Sequence, residues 1–67
     1  MLPTISLVVT VYNRERFLAA TLDSIVAQTY RNFELVVWDD GSTDQSLKIA
    51  RYYAERDARI QVVSASH

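Results

Sequence analysis

The sequence predicts an α/β fold in which five elements follow the order β-α-β-α-β and form half of a doubly wound parallel sheet. Three observations carry this. Apolar, β-branched runs occur at residues 4–11, 33–38 and 59–64. The segments between them, 14–28 and roughly 43–56, repeat their apolar residues at the helical period. The chain's one glycine, Gly41, stands directly after two adjacent acids where the second run stops, a place where a chain leaves a strand for a helix.

The first run is Thr-Ile-Ser-Leu-Val-Val-Thr-Val, with Pro3 just ahead of it. Proline is tolerated at a strand's start. Ile5, Leu7 and Val9 alternate with Ser6, Val8 and Thr10, and both sets are largely apolar, as in a parallel strand covered on both faces. Tyr12, Asn13, Arg14 and Glu15 break the run. Asn13 is a good N-cap for the next helix, and Glu15 suits its first turn.

In the first helix Leu18, Leu22, Ile25 and Val26 form a stripe with Ala19 beside it. Residues 28–32 make the exit, and Asn32 is the residue best suited to a left-handed conformation there. In the second strand Phe33, Leu35 and Val37 share one face, and Glu34, Val36 and Trp38 the other. Ser42 and Gln45 fit a capping box for the second helix. Leu47, Ala50 and Ala54 face inward there, with Ile49 and Tyr53 alongside. Asp44–Lys48 and Arg51–Glu55 are spaced as i,i+4 ion pairs.

Crossovers between parallel strands are right-handed, so if the strands pair in sequence order both helices cover one sheet face. The other face is then bare, as is the free edge of strand one. This pattern reads as a fragment of a larger fold, with self-association through the bare face expected of the fragment alone; sedimentation as a stable monomer at high concentration would contradict that.

Composition agrees. Of the 67 residues 49% are hydrophobic, rich for a chain that hides only about 60% of its unfolded surface. There is no cysteine, so disulfides and thiolate–metal sites do not compensate for a thin core. The net charge is −1 and no basic stripe occurs, which speaks against nucleic acid as a partner. No apolar run reaches the ~18–20 residues of a membrane span, and the start lacks the features of a signal peptide. The expected location is the cytoplasm, or the cytoplasmic face of a membrane in a longer protein.

Ligands of parallel α/β sheets bind beyond the C-terminal strand ends. Those ends carry Thr10, Tyr12 and Asn13 after the first strand, Asp39 and Asp40 after the second, and Ser64 and Ser66 after the third. An aromatic ring can stack on a planar heterocycle, and a carboxylate can accept the N–H edge of uracil or guanine. Other chemistries fail on spacing. The sequence has no dinucleotide-binding Gly-x-Gly-x-x-Gly and no P-loop. An aspartyl phosphatase of the haloacid-dehalogenase type needs an acid where Trp38 stands. The lone histidine, His67, is the terminal residue and reads as a solvated end. Adjacent strand-end acids diverge, so one turn-capping and one ligand-facing acid is the expected arrangement, not a metal pair.

Several linked segments together resemble the start of family 2 glycosyltransferases, the inverting enzymes of the Rossmann-like GT-A fold. They are the first strand through Thr10-Val11-Tyr12-Asn13, then Leu22-Asp23-Ser24-Ile25-Val26-Ala27-Gln28-Thr29-Tyr30, Phe33-Glu34, and Asp39-Asp40-Gly41-Ser42-Thr43-Asp44. The likeness runs from about Pro3 to Val63, nearly the whole chain. Many members carry proline where this sequence has Thr10, and threonine also occurs there.

The resemblance implies a nucleotide-diphospho-sugar donor, usually UDP-linked, and a divalent metal, Mg or Mn. It maps Thr10 and Tyr12 to the nucleoside pocket and Asp40 to the N–H edge of the base. Asp39 matches an acid that shapes the turn. Arg14 lies near the pocket in this pattern; its alternative role is a solvated helix-start residue. The family's metal-binding Asp-x-Asp and its acceptor-activating base lie on later segments, so no catalytic residue and no metal ligand is expected within these 67 residues. The saccharide or lipid-linked acceptor is not encoded here, and the isolated chain is expected to be inactive. Two rivals remain at this stage: a non-catalytic nucleotide-binding or self-association module, and a receiver-like signalling domain. The latter would want a phosphorylatable Asp at another strand end and a lysine opposite, whereas the third strand ends in serines.

Overall fold

The computed structural model describes residues 4–28 and 31–66. Strand β1 (Ile5–Val11) leads to helix α1 (Glu15–Val26), strand β2 (Phe33–Asp40), helix α2 (Ser46–Arg56) and strand β3 (Ile60–Ala65). The three strands form one parallel sheet in the order β1-β2-β3. Ile5 aligns with Phe33 and Val11 with Asp39, while Asp39 aligns with Ser64 and Asp40 with Ala65. This is the predicted half of a doubly wound fold.

Both helices pack on one face. Leu18 and Leu22 from α1 and Ala50 from α2 close over Val11, Phe33, Leu35, Val37 and Ile60 in a single core. Period-two alternation leaves the other face open: Val8 is 67% exposed and Trp38 42%. No helix among the described residues is long and apolar enough to cross a membrane. The Tyr53 hydroxyl joins the helices, 2.7 Å from Asp23 Oδ1 and 3.2 Å from the Ala19 carbonyl.

Several local expectations are corrected. Strand β2 does not stop at Trp38; both acids are its last residues, Asp39 paired with Val11 of β1 and Ser64 of β3, and Asp40 with Ala65 of β3 alone. Strand β3 runs one residue later than expected. Helix α2 begins at Ser46, so the Ser42–Gln45 capping box does not form and Gln45 gives no side-chain cap. Asp44 therefore lies outside the helix, and its i,i+4 pairing with Lys48 has no helical frame. The inward positions of α2 are Ser46 and Ala50, both fully buried; Leu47 instead lines the outer surface. Of the α1 exit, residues 29 and 30 lie outside the described residues. The one left-handed non-glycine residue among those described is Asn13, with φ of 51°, and not Asn32.

At the N-terminal edge of the sheet a local clamp sets the start of β3. Arg59 donates Nε to Asp57 Oδ1 at 2.9 Å and Nη2 to Oδ2 at 2.7 Å. Its guanidinium lies 4.2 Å from the centre of the Phe33 ring and reaches the Arg31 carbonyl at 3.1 Å. These bonds hold the Asp57 carboxyl below its usual range.

Candidate functional site

The parallel arrangement brings the three C-terminal strand ends to one edge. Alternation then separates the two acids. Asp39 follows Phe33, Leu35 and Val37 on the helix-covered face and is 2% exposed. Its Oδ2 accepts the Ser42 N–H at 3.0 Å, which fixes the turn around Gly41. Gly41 has φ of 73°, a conformation a Cβ would oppose. Asp39 Oδ1 is buried without a hydrogen-bond partner. Asp40 lies on the open face, half-buried.

Thr10, Val11, Tyr12, Arg14 and Asp40 line one pocket of about 220 Å³. Four of the five sequence-predicted residues thus come together, drawn from the end of β1, the turn after it and the end of β2. Asp39 is not among them; it lies beneath, holding the turn. Tyr12 is 40% exposed and offers a ring, Thr10 a hydroxyl, and Asp40 a carboxylate acceptor. A larger cleft of about 510 Å³ follows the outer side of α2 between Asp44, Lys48, Tyr52 and Arg56. It is a groove among the surface side chains of α2 that meets the turn after β2 only at Ser42 and Asp44 and takes in none of the residues at the strand ends themselves.

Sequence reasoning missed the residues that hold this pocket's two sides together. Asn13 caps no turn of its own helix. Its Oδ1 accepts the Thr43 N–H at 2.8 Å and the Asp44 N–H at 3.4 Å. In return Ser42 Oγ accepts the Asn13 N–H at 2.9 Å, Ser46 Oγ the Arg14 N–H at 2.8 Å, and Asp44 Oδ2 the Glu15 N–H at 3.1 Å. Each turn satisfies the amides that the other's helix start leaves open. Burial acts to raise the Asp44 carboxyl, but hydrogen bonds from Ser46, Glu15 and its own N–H outweigh it and hold the group below its usual range. The one local hint was the Ser/Thr/Asp cluster at 42–46, whose polar groups outnumber what a single helix start requires.

These residues do not fit a metal. Asp39 and Asp40 face opposite sides of the sheet, and no group of three His, Cys, Asp or Glu side chains among the described residues could hold an ion. What the pocket can do is receive a planar ring with an N–H edge.

The profile described as glycosyl transferase family 2 matches residues 6–67. The chain is 43% identical over 63 residues to the uncharacterized glycosyltransferase EpsJ of Bacillus subtilis, covering 94% of this chain and 18% of EpsJ. It is 52% identical over 56 residues to the glycosyltransferase GlyA of Streptococcus pneumoniae, covering 84% of this chain and 8% of GlyA. Among solved structures it is similar to the mannosyltransferase PcManGT of Pyrobaculum calidifontis in complex with GDP-Man and Mn2+. The TM-score there is 0.85 at 29% identity, over 97% of this chain and 20% of that one. The chain therefore spans a fifth or less of the length of these proteins.

Proposed function

The chain belongs to glycosyl transferase family 2, and on that premise we propose that it forms the nucleoside-binding part of a longer enzyme. That enzyme transfers a sugar from a nucleotide-diphospho-sugar to an acceptor hydroxyl with inversion. The observation that carries this reading is the pocket that Thr10, Tyr12 and Asp40 line together. In it Tyr12 stacks on the base, Thr10 contacts the nucleoside and Asp40 accepts the base N–H. Arg14, on the same pocket wall, adds positive charge toward the diphosphate. A divalent metal would neutralise the diphosphate in the complete enzyme, held by residues outside this chain; the residues here bind and orient the nucleoside.

The base follows from the acceptor chemistry of Asp40. Uracil presents N3–H, and guanine presents N1–H beside its amino group. Cytosine presents a bare acceptor, which a carboxylate repels. UDP-linked donors are our reading, and the GDP-Man complex of the similar mannosyltransferase makes GDP the competing probe. A charge-assisted hydrogen bond contributes roughly 1.5–3 kcal/mol. In the longer enzyme Asp40→Ala should weaken UDP binding about 10- to 100-fold and CDP binding much less. Titration calorimetry checks this, with GDP in parallel. Equal losses for UDP and CDP would overturn the assignment of Asp40, and tighter binding of GDP than UDP would move the donor to the guanine class.

A further inference from the structure

The nucleoside pocket is built from two separate turns. Tyr12 and Arg14 belong to the turn between β1 and α1. Asp40 ends β2 and leads, through Gly41, into the turn before α2. A pocket assembled this way works only if the two turns keep a fixed relation.

We infer that Asn13 is the positioning residue that sets this relation, so that its side-chain carbonyl, without touching the nucleotide, determines how tightly the pocket binds it. This rests on the nucleotide reading of the pocket given above. Asn13 does not line the pocket, but both of its sequence neighbours do. Its Oδ1 is the side-chain acceptor for two successive N–H groups of the other turn, at Thr43 and Asp44, and lies 3.4 Å from the Thr43 hydroxyl. Its own N–H is held by Ser42 Oγ, and Ser42 N–H is held in turn by buried Asp39. A continuous chain of bonds thus runs from the end of β2 to the residue between Tyr12 and Arg14.

The backbone carries the same message. Asn13 sits at φ of 51°, a conformation that most side chains oppose and asparagine tolerates best after glycine. Such a conformation persists where the surroundings over-determine it, and here six hydrogen bonds between the two segments do so. The left-handed residue reverses the chain between Tyr12 and Arg14. The Oδ1 bonds then fix where that reversal stands relative to Asp40. Geometry and acceptor are separable: glycine keeps the φ and loses the acceptor, whereas aspartate keeps an acceptor at the same position.

The test uses the longer enzyme, with UDP and GDP titrated by calorimetry well below the melting temperature of each variant, so that every sample is folded. Asn13→Gly should bind the nucleotide that the wild type prefers about 10-fold more weakly, and Asn13→Asp should stay within about 3-fold of wild type. A purely structural role would move the melting temperature and leave these constants alone. Wild-type binding by Asn13→Gly, or equal weakening in Asn13→Asp, would overturn the inference. Should Asn13→Gly fail to fold, Ser42→Ala carries the same test: about 3-fold weaker binding is expected, and no change overturns the inference. Asp40→Ala is the control. If it also leaves binding unchanged, the nucleotide reading of the pocket falls, and this inference with it. If it weakens binding while Asn13→Gly does not, the positioning inference alone falls.

Discussion

At the N-terminal edge of the sheet, Asp57 and Arg59 close on each other two residues apart. At the C-terminal edge, Asn13 and the 42–46 turn reach across about thirty residues of sequence. Both edges use one device, a short polar side chain that accepts backbone N–H groups. The difference is range. The Asp57–Arg59 bonds lie within one turn, so they can form before the sheet does; only the Arg59 contacts with the Arg31 carbonyl and the Phe33 ring wait for β2. The long-range exchange exists only once β1 and β2 are paired, and it places the residues of the pocket. Stability at one edge is thus separable from binding at the other.

The largest effect is expected where the long-range edge is anchored. Asp39→Ala removes the buried acceptor of the Ser42 N–H and should destabilise the protein by about 2–3 kcal/mol. Denaturant unfolding with an unchanged m-value checks it. Asp39→Asn, which retains an acceptor oxygen, should cost less; an equal loss would show that the charge and not the bond anchors the turn.

A smaller effect is expected at the local edge. Arg59→Ala loses the bidentate pair and the contact with the Phe33 ring. It should lower the melting temperature by a few degrees, partly masked by added salt, and leave the UDP dissociation constant unchanged. A shift in UDP affinity in this variant would break the separation between the edges.

The smallest effect is in pH. Asp57, through its bond from Arg59, and Asp44, through Ser46 and Glu15, both have folded values below the ordinary 3.8. A depressed carboxyl contributes stability that is present above the unfolded value and is lost as pH falls through the folded one. Wild type should therefore exceed Asp57→Asn in stability at about pH 6, with the gap closing as pH drops below 3.8. A gap that stays constant with pH would mean that the Asp57 charge is not what closes the clamp.

The fold was legible because it rests on patterns repeated along whole segments. The alternation of Phe33, Leu35 and Val37 and the stripe of Leu18 and Leu22 each report burial many times over. The pocket was legible in outline, since a parallel sheet presents its C-terminal ends together and Thr10, Tyr12, Arg14 and Asp40 stand at those ends. The helix starts were misread. Asn13 and Ser42 are both good N-caps by residue type, and a single sequence offers no sign that each serves the other's turn.

The sequence by itself determined the order of elements, the shared face of the two helices and the divergence of Asp39 and Asp40, because these follow from periods of 3.6 and 2 and from the handedness of the chain. Only the tertiary structure decided which polar side chain meets which amide. A hydrogen bond needs its partners within a few tenths of an ångström of 2.9 Å. Between residues thirty apart in the chain, that distance is set by how β1, β2 and both helices pack as a whole, not by the residues that make the bond.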